Sequence, residues 1–221
     1  MDRRKFLKLG ISAAGATLMT APLVSQALDV CAVTPEQVKG PFYPLINRDD
    51  ENTDLTQING STEKATGEIH YLNGRILNED CAPLSGALVE IWQACHTGRY
   101  DHERDSDNPA ALDPNFQYWG ETLTNDLGEF KFKTIKPGSY AADIGWDRPP
   151  HIHVKVSKRG YKELITQLYF KGEALNDIDR ILQALTIDEQ NNLVVDFKTA
   201  EAPLEEGAKV GSVEITLHKI R

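Results

Sequence analysis

Residues 124–135 read TNDLGEFKFKTI, and the second half of that stretch decides the fold. After the turn-forming run Asn125, Asp126 and Gly128, the chain alternates Glu129, Lys131 and Lys133 with Phe130, Phe132 and Thr134. A period of two puts apolar and charged side chains on opposite faces of a strand with one buried side. The pattern extends outward in both directions. EIHYLNGRIL (68–77) and ALVEIWQA (87–94) alternate around the turn-rich NEDCAPLSG (78–86), which predicts a β-hairpin. HIHVKV (151–156), ELITQLYF (163–170), NLVVDFKT (192–199) and SVEITLHK (212–219) continue the strands. Only ALNDIDRILQAL (174–185) predicts a helix, with Ile178, Ile181, Leu182 and Leu185 at helical spacing. Seven or eight short strands separated by turns define an all-β sandwich or barrel.

The remaining organisation lies upstream. Residues 28–66 have no clear periodicity and predict an N-terminal arm laid over a β domain at 67–221. The first 27 residues read as an address. Arg3 and Arg4 precede Phe6-Leu7-Lys8, a short apolar run follows, and SQA closes it. This predicts a twin-arginine-type signal peptide cleaved after Ala27, and hence a periplasmic or extracellular protein. No apolar run approaches the ~20 residues of a membrane span. The 221 residues carry 24 Lys and Arg against 33 Asp and Glu, a net charge of −9. Four of the basic residues and one acidic residue lie in the first 27, so the rest is more acidic still. Such a surface repels nucleic acid and anionic lipid, and neither is an expected partner. Of the three cysteines, none has zinc-like spacing. Export to an oxidising compartment leaves room for one disulfide, taken as Cys31 with Cys81, and one free thiol.

The chemistry concentrates in DRPPHIHVKV (147–156). On a strand, residues i and i+2 share a face with Cα atoms roughly 6.6–6.8 Å apart. His151 and His153 can therefore lean together on one metal at ~2 Å per bond. Pro149 and Pro150 stiffen the entry to the strand, and Arg148 adds a fixed positive charge. A cupin site would need a glutamate just beyond the second histidine, where Ser157 and Lys158 stand. A facial triad would need Asp143 or Asp147 as its carboxylate. His70, His96, His102 and His218 are further imidazoles whose ordinary reading is surface or packing. Tyr100, in TGRYDH (97–102), and Tyr140, in KPGSY (136–140), are the remaining donors. A phenolate suits a hard ferric ion, which must itself drive deprotonation from a free pKa of ~10.

GRY, DPNF, TNDLGEFKFKTIKPGSY, RPPHIH and LITQLYF, with GPFYP at 40–44, follow one another as in the intradiol ring-cleaving dioxygenases. The sequence resembles that family, nearest to its protocatechuate 3,4-dioxygenase chains. The resemblance implies a β-sandwich of about eight strands with an N-terminal arm and one short helix. It implies one non-haem Fe(III) per chain, with Tyr100 and His151 as equatorial and Tyr140 and His153 as axial ligands. An aromatic 1,2-diol and O2 would be the substrates, with Tyr140 taking a proton from the diol. Arg148 would stabilise negative charge on the ring, and Gln167 would be a polar neighbour of the site. A homo-oligomer is expected. Ala141 and Ala142 depart from the family, which carries a proline and a tryptophan there, so the substrate-facing wall must differ; Trp146 could refill it. The same turns and strands also resemble exported β-sandwich binding modules, which need no metal. A relative that binds iron or a catechol without turnover is the other alternative.

Overall fold

The computed structural model of the protein describes residues 30–45 and 50–220; the expected signal peptide lies outside them. Among the described residues there are eleven strands and one α-helix: β1 (Ile69–Asn78), β2 (Leu88–Trp92), β3 (Trp119–Leu123), β4 (Glu129–Ile135), β5 (Tyr140–Asp143), β6 (Trp146–Arg148), β7 (His151–Ser157), β8 (Leu164–Phe170), α1 (Ile187–Leu193), β9 (Val194–Val195), β10 (Lys198–Thr199) and β11 (Lys209–Leu217). They form a four-stranded sheet in the order β10-β11-β1-β4, a five-stranded sheet β3-β2-β7-β8-β9 and a separate hairpin β5-β6. The expected all-β sandwich is present. Its count exceeds eight because β9 and β10 have two residues each and the β5-β6 hairpin stands apart.

The core follows from the alternation. Leu72 and Ile76 of β1, Phe132 of β4 and Ile215 of β11 meet Val89 and Ile91 of β2, Ile152 and Val154 of β7 and Leu168 of β8 in one buried cluster. Burial of such apolar area contributes roughly 25 cal/mol per Å².

Two local expectations are corrected. β1 and β2 do not form a hairpin: β1 lies between β11 and β4, while β2 lies between β3 and β7. The Asn78 side chain accepts from the backbone N–H groups of Asp80 and Ala82, and after the Leu77–Pro83 bridge the chain crosses to the opposite sheet. Alternation defines which face is apolar, and two such faces can oppose each other across a core as readily as lie side by side.

Residues 174–185 are not an α-helix. A 3-10 turn covers Ala174–Ile178, and Asp179 follows with extended backbone (φ −70°, ψ 117°). The Asp179 carboxylate instead accepts from the N–H groups of Ile181 and Leu182. Such a side-chain bond competes with helix formation. It leaves Leu182 buried and Ile178 exposed. The helix begins later, where Thr186 and Glu189 form a reciprocal capping box.

The N-terminal segment is irregular and pinned to the sandwich. Cys31 is disulfide-bonded to Cys81, as expected, while Cys95 is free and buried. The Thr34 and Gln37 N–H groups donate to the carbonyls of Thr216 and Ile165. No helix among the described residues is long and apolar enough to cross a membrane.

Candidate metal centre

β7 is buried on both faces for different reasons. Ile152, Val154 and Val156 point into the sandwich, and the opposite face carries His151, His153 and Lys155. Across the ladder His153 stands opposite Trp92 of β2 and Gln167 of β8, and His151 opposite Tyr169. The centre therefore lies on the outer side of the five-stranded sheet. There a second cluster forms from Trp92, Ala94, Tyr100 and Trp119, with Phe42, Tyr43, Tyr140 and Ile165 packed against it.

Tyr100 reaches this face through two glycines. Gly98 has φ +85°, and a Cβ there would collide with the carbonyl oxygen of Ser139. A Cβ on Gly138 would likewise collide with the backbone of residues 96–98. Only glycine at both places lets the loop after β2 and the turn before β5 lie against each other. Gly138 N–H then donates to the Cys95 carbonyl, at 2.9 Å. The Tyr100 N–H donates to the buried Asp105 carboxylate at 2.7 Å, fixing the loop beyond the turn. Tyr140 begins β5 and pairs with Arg148 of β6.

The four rings converge. Tyr100 and Tyr140 have centroids 5.6 Å apart at 89°, Tyr140 and His151 5.7 Å, His151 and His153 4.9 Å, and Tyr100 and His153 6.3 Å. Phe42 stacks on Tyr100 at 4.5 Å, closing the cluster from the arm. His151 Nδ1 is engaged with the Pro149 carbonyl at 2.6 Å, which leaves Nε2 as its free nitrogen. The Tyr100 hydroxyl, His151 Nε2 and His153 Nδ1 are all buried without a hydrogen-bond partner. Tyr140 stands close enough to be felt by Tyr100, but no hydrogen bond of good geometry reaches the Tyr100 oxygen.

Burial dominates the electrostatics. It pushes both phenols up, Tyr100 well above the usual range, with the Arg148 charge opposing the rise in each. It pushes His151 down to about 3 and His153 well below its ordinary value, and there the Arg148 charge acts in the same direction. Both imidazoles are neutral, as metal ligands must be. Arg148 is itself tied down: Nε donates to Asp179 at 2.6 Å, and Nη2 donates to Gln167 at 2.7 Å and to the Tyr169 hydroxyl at 3.4 Å. Gln167 donates in turn to the Val38 carbonyl of the arm.

Buried polar atoms without partners are costly, and three on converging rings call for a common partner. Among the described residues no three His, Cys, Asp or Glu side chains could hold a metal together. A metal here would have to use the phenols. Two phenolates and two neutral imidazoles offset two charges of a ferric ion, so the donor set fits Fe(III).

All six site residues expected from the sequence are brought together: Tyr100, Tyr140, Arg148, His151, His153 and Gln167. The other candidates are not. His70 packs on Phe170 and Phe197, His96 lies near Asp113, and His218 bonds Glu79. His102 accepts from the Arg104 N–H, and Asp143 and Asp147 are exposed. Sequence reasoning missed Trp92, Tyr169 and Asp179. Trp92 had a readable signal, a large aromatic on the face β2 otherwise gives to Glu90. Asp179 had none, being hidden in a helix-like pattern.

A sandwich whose outer face gathers two phenols, two imidazoles and a buried guanidinium has the donor make-up of a mononuclear ferric protein. The chain belongs to the intradiol ring-cleaving dioxygenase family: a family model described as Dioxygenase matches residues 38–218. It is 34% identical over 183 residues to the protocatechuate 3,4-dioxygenase beta chain of Burkholderia cepacia, covering 80% of this chain and 76% of that one. It is 34% identical over 112 residues to the catechol 1,2-dioxygenase of Candida albicans, covering 45% of this chain but only 35% of that enzyme. Among solved structures, it resembles the dioxygenase domain of a dioxygenase–carbohydrate-binding protein fusion from Streptomyces sp. SirexAA-E. That match has a TM-score of 0.62 at 28% identity and covers 86% of this chain and all of that domain. These relatives are dioxygenases, and a metal-free binding module is not favoured.

Proposed function

We propose that the protein is an Fe(III)-dependent intradiol dioxygenase. It opens an aromatic 1,2-diol of the catechol or protocatechuate type between its hydroxyl-bearing carbons with O2, giving a cis,cis-muconate-type dicarboxylate. The observation that carries this reading is the convergence of four rings, three of them buried with an orphaned polar atom and the fourth, Tyr140, half-buried, beside Arg148.

Tyr100, Tyr140, His151 and His153 are the residues that would hold the iron. When bound, Fe(III) supplies Lewis acidity toward the diol and makes the ring reactive toward O2. Tyr140 is the less buried of the two phenols, and its oxygen, which would be a phenolate with iron in place, would take a proton from the incoming diol. Arg148 stabilises negative charge on the ring from a preorganised position. Gln167 holds one arm of the guanidinium. Phe42 and the arm exclude water from the face of Tyr100. Ala141 and Ala142 leave the hairpin side of the site without bulk, and Trp146, 5.6 Å from the Arg148 guanidinium, forms the wall there.

The test is incubation of the iron-loaded protein with catechol and with protocatechuate under ¹⁸O2. One O2 consumed per ring opened, with both labelled atoms in a dicarboxylate, supports the proposal. Absence of a ring-opened product from either diol overturns it. Export after cleavage near Ala27 is proposed alongside, supported by the Cys31–Cys81 disulfide, which persists in oxidising compartments.

A further inference from the structure

We infer that Asp179 is the positioning residue for Arg148, its carboxylate fixing the guanidinium so that Nη1 is the edge left to face the four rings. The inference rests on the dioxygenase reading for its consequence, though not for its geometry. Asp179 is fully buried, and Arg148 is nearly so. The guanidinium is a rigid planar fork with five N–H groups, so fixing two of its nitrogens fixes the third. Nε is held by Asp179, and Nη2 by Gln167 and Tyr169. Nη1 donates to none of the described residues. Arg148 pairs across the β5-β6 hairpin with Tyr140, and its charge is felt by all four rings.

The acceptors are themselves hydrogen-bonded in place. Gln167 is anchored on the Val38 carbonyl, and the Tyr169 hydroxyl lies 3.3 Å from the Gln37 amide oxygen. Asp179 divides its carboxylate: Oδ2 takes the Arg148 Nε–H, while Oδ1 takes the Ile181 and Leu182 N–H groups of the following turn. The carboxylate that ends the helix-like segment is therefore the one that aims the arginine. A carboxylate is required for both tasks at once. In Asp179→Asn the amide oxygen can still cap the turn, but the NH2 group then opposes the Arg148 Nε–H, donor against donor. This substitution separates aiming from capping.

The experiment compares Asp179→Asn with wild type, alone and in an Arg148→Lys background. Iron uptake by the apoprotein and the ferric absorption band are expected to stay within about twofold of wild type, because Asp179 touches none of the four rings. In catechol turnover kcat is expected to fall about 10- to 100-fold, in the range of other supporting-residue losses, with KM changed less than about threefold. In the Arg148→Lys background the same substitution is expected to add no more than about twofold. An equal loss of kcat in both backgrounds, or none in either, overturns the inference. Should Asp179→Asn not fold, Asp179→Glu, which keeps the charge and displaces it, is read by the same criteria.

If wild type opens no diol, the dioxygenase reading fails by itself. The geometry is then decided on the apoprotein by NMR of the arginine Nε–H groups. A slowly exchanging Nε–H signal that is absent in Arg148→Lys and lost in Asp179→Asn supports the aiming role. The same signal unchanged in Asp179→Asn overturns it.

Discussion

Trp92 lies flat against His153, with ring centroids 4.7 Å apart and planes within 5°. The two are cross-strand partners on β2 and β7. The imidazole also lies next to Gly40 of the arm, where an added Cβ would come within 3.4 Å of its Cε1. The ring thus has an indole stacked on it and, close by, a backbone segment whose φ of +72° favours glycine. Its orientation is set before any metal arrives.

Removing that support should loosen the donor without removing it. Trp92→Leu is expected to weaken ferric-iron affinity by about 10-fold, the low end for an outer-shell partner. It should also cost about 2–4 kcal/mol of stability through the cavity left behind. His153→Ala should lose iron outright. Competition against a chelator of known affinity measures both. An affinity of Trp92→Leu equal to wild type would show that stacking does not orient His153.

The two tyrosines should behave differently. Tyr140→Phe is expected to retain iron with an altered visible band and to slow the anaerobic uptake of catechol, since the phenol that accepts the diol proton is gone. Tyr100→Phe, at the more deeply buried position, is expected to weaken iron retention more severely. Stopped-flow absorbance under argon follows the first effect and iron quantification the second. Unchanged colour and uptake rate in Tyr140→Phe would remove it from the centre.

The approach of the two loops depends on Gly98. Gly98→Ala places a side chain at positive φ and against the Ser139 carbonyl. Strain of this kind costs about 1–3 kcal/mol. Relief by moving the loop carries Tyr100 away from Tyr140, so both melting temperature and iron content should drop. A variant with wild-type iron content would mean that the loops need not touch for Tyr100 to reach the centre.

His70 predicts a pH effect remote from the centre. Burial against Phe170 and Phe197 holds its imidazole below the ordinary value. Folded, it resists the proton that the unfolded chain accepts near pH 6.5. Its contribution is therefore fully present above about pH 6.5 and is lost as pH falls below it. His70→Gln should flatten the stability of the apoprotein between pH 7 and 5, measured by denaturant unfolding. Equal slopes for the two proteins would contradict the assignment.

Part of the centre was legible from local signatures: the alternation of residues 151–156 put His151 and His153 on one face, and KPGSY marked a turn that delivers Tyr140. Tyr100, in its long loop, and Gln167 were singled out by the family resemblance instead. What stayed hidden depends on contacts between distant segments. Residues 174–185 have helical periodicity, but Asp179 is drawn into a buried pair with Arg148, 31 residues away in sequence, and no window of sequence contains that contact. The misread hairpin has the same origin, since alternation in β1 and β2 is identical whether the strands pair or face each other. The capping box at Thr186 and Glu189 was readable and locates the true helix.

The central claim is that the four rings form a ferric site open to a diol. The most direct test is the visible absorption spectrum of the purified, iron-quantified protein before and after anaerobic addition of catechol. A red-brown tyrosinate-to-Fe(III) band at one iron per chain, shifting when catechol is added, is the predicted result. A protein that stays colourless and iron-free after reconstitution with Fe(III) would contradict it.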